Sequence, residues 1–197
     1  MARKISVGAK PSTGGGNGGG WWGPKTDEIH EVTLLASDAE IVSVDQCTIW
    51  DINPAPSWVY CGSDDPSHDL GLKPGYRAFI PVLVKGDEEQ KPRIWSMPIS
   101  AHRALCDIAE MQDLKGLVVK VKKTGTGIKT KYVIVSTARV ANIKKVEDIP
   151  TADDIISRLG PEDRQSIIDM IVERSGKSWD ELTGKSTKDD NDDVEEL

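Results

Sequence analysis

The 197-residue chain is short of aromatic residues: six Trp, three Tyr and one Phe make up 5% of it. A β-rich core with one phenylalanine must take bulk from other rings, so about half of the Trp and Tyr residues are expected inside. Cysteine is equally sparse. Cys47, Cys61 and Cys106 form no C-x-x-C pair, which argues against a disulfide framework and fits a reduced, cytoplasmic setting. No apolar run approaches the roughly 18 residues a membrane span needs. The N-terminus "MARKISVGAKPSTGGG" lacks the apolar region of a secretory signal.

Charge is plentiful and segregated. The net charge of -7 divides into -6 over residues 1–72, +9 over 73–145 and -10 over 146–197. A basic middle between acidic ends points to an anionic partner, of which nucleic acid is the commonest. The basic region centres on "GLVVKVKKTGTGIKTKYVIVS", which carries Lys120, Lys122, Lys123, Lys129 and Lys131. Solvated lysines protecting an edge hairpin are the simpler alternative.

Composition divides the chain into four parts. Residues 1–27 form a Gly-rich arm, interrupted by Trp21 and Trp22, which either dock on the domain or stack on a partner. Residues 28–148 read as the main domain. Residues 149–184 carry apolar positions at helical spacing, with Thr151 as a cap. Residues 185–197 end in "DDNDDVEEL", an acidic tail expected to be disordered.

Within the main domain, β-branched runs at "EVTLLA", "IVSVDQCTIW", "SWVYCG", "YRAFIPVLVKG" and "RIWSMPI" read as strands, with a break or edge at Pro81. A helix follows over 99–113, capped by Ser100, and then the lysine hairpin. Its first arm buries Val119 and Val121 and shows Lys120 and Lys122. In the second arm Tyr132 shares a face either with Ile134 or with the lysines. Taking "RIWSMPI" as the third strand gives three strands, a helix and two strands, the order of a mainly β, five-stranded OB-fold-like Greek-key barrel.

Such barrels bind single strands with cationic grooves and aromatic platforms. On that scheme Arg93, Lys120, Lys122, Lys123, Lys129 and Lys131 take phosphates, while Trp95, Trp58, Tyr60 and Tyr132 stack on bases. Arg93 and Trp95 share a strand face, as do Trp58 and Tyr60.

The run "PRIWSMPISAHRALCDIAEMQDLKGLVVKVKKTGTGIKTKYVIV" resembles the core of single-stranded DNA-binding proteins of tailed bacteriophages. Gly125, Gly127, Thr130 and Tyr132 match the hairpin form x-x-G-x-G-x-x-T-x-Y of that family, and the likeness covers roughly 56–136. It implies a protein that coats and protects single-stranded DNA in phage replication, recombination or repair, within the host cytoplasm. It also implies that the acidic tail, through Asp189, Asp190, Asp192, Asp193, Glu195 and Glu196, recruits replication proteins such as a polymerase or helicase. A flexible acidic tether near a cationic groove would also compete with phosphates.

Enzyme signatures are thin. "GKST" at 184–187 lacks the earlier glycine of a phosphate loop. Asp64, Asp65, His68 and Asp69 suggest a nuclease metal site no more than an ordinary Asp-rich turn. Cys47, Cys61, His68, His102 and Cys106 lack the short paired spacing of structural zinc. No enzyme activity, metal or cofactor is expected. The alternative to DNA binding is a protein-interaction module, virion- or transcription-associated.

Overall fold

The computed structural model describes residues 20–184. Eight strands form one mixed sheet: β1 Trp21–Trp22, β2 Ile29–Leu34, β3 Val42–Thr48, β4 Ser57–Val59, β5 Gly75–Val84, β6 Arg93–Met97, β7 Leu117–Thr124 and β8 Lys131–Val140. Helix α1 (Ile99–Ala109) separates β6 from β7, and α2 (Ala152–Ser157), α3 (Arg164–Ser175) and α4 (Trp179–Thr183) follow β8. The pairing path runs β1-β6-β5-β2-β7-β8, with β3 also on β5 and β4 on β3. Among the described residues no ladder joins β8 back to β1, so eight strands in an open path stand where five closed ones were expected.

β5 organises the sheet. Along one edge it pairs first with β3, over Gly75–Phe79, and then with β2, over Val82–Val84. Pro81 lies at the changeover, and its carbonyl accepts the Leu35 N–H at 2.9 Å. The donor that proline lacks is not needed there, because β3 has ended and β2 has begun. The strand therefore runs unbroken through Pro81.

Three apolar clusters hold the layers together. Val32, Leu34, Ile80, Val82, Trp95, Met97, Val119 and Val121 pack against Leu105 and Ile108 of α1. On the opposite sheet face Val42, Val44, Val59, Phe79 and Ile94 meet Ile155 and Leu159 from α2 and the turn after it. Cys47 and Trp58 close the far end against Ile167 and Ile171 of α3. The C-terminal helices thus pack on the chain's own β domain.

Local chemistry sets the helix ends. Thr151 caps α2, accepting the Asp154 N–H at 3.2 Å, and Asp163 caps α3 through Ser166 N–H at 2.9 Å. α1 starts after Pro98 rather than at a Ser100 cap and ends at Ala109, short of the expected 113. Met111 consequently lies outside the helix, 78% exposed.

Trp21 and Trp22 dock. β1 pairs in parallel with β6 at Ile94 and Trp95, and Trp21 packs edge-on against Phe79 at 5.6 Å.

Candidate nucleic-acid interface

The lysine hairpin is built by β7 and β8 around a tight turn. At Gly125 φ is +74°, and a Cβ would lie 2.5 Å from the Lys129 carbonyl oxygen, so only glycine fits. Register then fixes the two faces. Val121 stands opposite Ile134 and Val119 opposite Ser136, facing the core. Lys122 stands opposite Val133 and Lys120 opposite Val135, facing outward. β2 extends both outward rows, placing Ile29 beside Lys122 and Glu31 beside Lys120.

Tyr132 falls on the Ile134 side and packs against the core cluster. Burial pushes its hydroxyl pKa up, partly opposed by Arg77. The desolvated Arg77 guanidinium is in turn held below its usual range, with Tyr132 acting against that shift. Tyr132 is therefore half-buried rather than an open platform.

Two of the expected stacking residues are sealed. Trp95 and Trp58 have no exposed surface. Trp95 lies between the β core and Trp22, while the Trp58 indole donates to the Asp65 carboxylate at 3.0 Å. Neither offers a face to a base. Tyr60 is partly exposed, but its ring meets His68 edge-on and its hydroxyl lies 3.2 Å from His68 Nε2. Arg93 does not stand free beside a platform either. It donates to Asp87 at 2.8 Å and to Glu89 at 3.5 Å, which raises its own pKa and lowers that of Asp87.

Ion pairing separates the hairpin lysines from several of the other cations. Arg93, Lys85, Lys115, Arg139 and Arg164 each pair with a carboxylate. Lys120, Lys122, Lys123, Lys129 and Lys131 have no ion-pair partner among the described residues. Glu31, the one acid in their outward rows, is held by Lys85 and Arg139, whose bonds lower its pKa.

The Asp-rich loop is structural. Asp65 is buried and accepts from Trp58 Nε1, Cys61 N and Ser67 N, while Arg164 reaches over from α3 to Asp69 and to the Asp64 carbonyl. Among the described residues no three His, Cys, Asp or Glu side chains gather where a metal could sit. His102 stacks on Tyr76 at 5.8 Å. No helix there is long and apolar enough to cross a membrane.

The sequence reading missed Ile29, Val133 and Val135, exposed at 67%, 52% and 54% in the lysine rows. Their signal was parity: Val133 and Val135 keep step with Lys131. The acidic tail residues Asp189 to Glu196 lie outside the described residues. Comparison with protein-family models, curated proteins and solved structures gives no match.

Proposed function

We propose that this protein binds single-stranded DNA without sequence preference and coats it during phage-type replication or recombination. One observation carries the reading. Five lysines on a single hairpin are left without carboxylate partners among the described residues, while Lys85, Arg93 and Arg139 are paired. Unneutralised ammonium groups gathered on one hairpin attract a phosphate chain and release its counterions.

The strand order supports the same reading. β5 with its two edge partners, then β6, α1 and the β7–β8 hairpin, keep the strand–helix–hairpin order expected from the sequence, on an open sheet. Lys120, Lys122 and Lys131 take phosphates on the outward side, and Lys129 in the turn and Lys123 on the Tyr132 side extend the contact at the hairpin end. The acidic tail recruits replication proteins.

The test is anisotropy of a labelled oligo-dT with the full chain at rising salt. Affinity is expected to fall with a log–log slope of about -0.7 per neutralised phosphate. A chain that does not bind at low salt, or whose affinity is flat with salt, overturns the proposal and leaves a protein-interaction module.

A further inference from the structure

We infer that the bases of a bound single strand rest on an aliphatic platform formed by Ile29, Val133 and Val135, set between the phosphate-binding lysines. This inference rests on the nucleic-acid reading above. It places base contact on the outward face of β2, β7 and β8 rather than on aromatic rings.

The platform follows from register. Across the three strands one row reads Ile29, Lys122, Val133 and the next reads Glu31, Lys120, Val135. Adjacent strands lie about 4.8 Å apart, and outward residues on one strand repeat about every 6.8 Å. Each apolar side chain is therefore within one strand spacing of an unpaired lysine. Glu31 is held by Lys85 and Arg139, so it does not cancel the positive field.

Strand propensity does not explain these residues. Thr33 and Thr124 occupy the same outward face, and threonine is β-branched like valine. Ile29, Val133 and Val135 are each more than half exposed, whereas Val118, which shares the row of Thr33, is buried. Exposed apolar side chains grouped on one face mark a contact surface. Cations in the same rows select an occupant that is anionic along its backbone and apolar on its flat faces. Unstacked nucleobases on a phosphate chain have that chemistry. A duplex does not, because its base faces are stacked inside and only phosphates reach the lysines.

The experiment compares V133T/V135T and K120Q/K122Q with the parent chain, using labelled oligo-dT and a duplex of equal length. Ile29→Thr probes the same platform from a different strand, and thermal melting checks that each variant is folded. The valine pair is expected to weaken oligo-dT binding about five- to tenfold, with duplex binding and salt slope unchanged. Ile29→Thr is expected to act in the same direction. The lysine pair is expected to reduce the salt slope by about 0.7 per lysine. If folded V133T/V135T and Ile29→Thr bind oligo-dT like the parent while the lysine pair weakens it, the platform is overturned and the nucleic-acid reading survives. If the parent binds neither DNA, both fail together.

Discussion

The indole of Trp22 meets that of Trp95 edge-on, with ring centroids 5.6 Å apart and planes at 74°. Trp22 belongs to a two-residue strand, yet it closes the core over a fully buried ring and also meets His30 edge-on. Trp22→Ala is expected to lower stability by about 3 kcal/mol, the lower end for losing a packed aromatic, since Trp22 keeps some exposure. Denaturant unfolding measures it, and a change below about 0.5 kcal/mol, the scale of ordinary surface substitutions, would mean the arm only leans on the domain.

Asp65 ties three segments of its loop together. Burial pushes its carboxyl pKa up, but donors from Ser67, Cys61 and Trp58 outweigh that and hold it below the usual range. A carboxylate depressed on folding stabilises the protein above its unfolded pKa near 3.9, and that contribution disappears as pH falls through the lower folded value. Asp65→Asn is expected to cost about 3 kcal/mol at pH 7, because an amide donor then faces buried donors. The difference between parent and variant should shrink below pH 4, which melting curves from pH 7 to 3 would show. A pH-independent difference contradicts the assignment.

Burial, with the same carboxylate beside it, sets the reactivity of Cys61. Cys61 and Cys106 are both exposed, but partial burial and Asp65, whose Oδ2 lies 3.2 Å from the Cys61 sulfur, push the Cys61 thiol up to about 11. Alkylation at pH 8 is expected to modify Cys106 first, Cys61 slowly and buried Cys47 last, as read by peptide mass spectrometry. Cys61 reacting fastest would show that the loop opens readily.

Arg164 fastens α3 to the Asp-rich loop through the Asp64 carbonyl and the Asp69 carboxylate. Because the side chain is 35% exposed, Arg164→Ala is expected to cost only about 1 kcal/mol. Faster hydrogen exchange in Arg164–Ser175 should accompany it, and exchange spread evenly over the β domain would argue against a local latch.

Removing Asp189–Leu197 is expected to tighten oligo-dT binding at low salt, because tethered carboxylates compete with phosphates for the lysines. Unchanged affinity removes that role for the tail.

Much of the β architecture was legible because alternation reports burial on strands with one wet face. Val119 and Val121 are buried against the more open Lys120 and Lys122, although Leu117 and Val118 ahead of them are buried in succession. The signal fails where a strand is covered on both sides. In β6, Ile94 and Trp95 are adjacent and equally buried, one beneath Trp21 and α2 and the other inside the main core. Nothing in "RIWSM" tells a sealed indole from an exposed one, so Trp95 reads as a platform. In "KYVIVS" both parities are apolar, so parity groups Val133 and Val135 with Lys131, and pairing against β7 shows that this side faces outward. Arg93 was misread for another reason: its partners lie in the preceding turn, where Asp87 and Glu89 look like ordinary loop polarity.

The pairing of β2 with β7 matches Glu31 to Lys120, positions almost ninety residues apart in the chain. A nascent polypeptide can therefore zip β5 onto β2, β3 and β6 early, but β2 keeps one bare margin until the lysine hairpin has left the ribosome. The segment that carries the lysines is thus also the one that completes the sheet, so a chain truncated before Leu117 lacks the lysine hairpin and leaves a sticky edge behind.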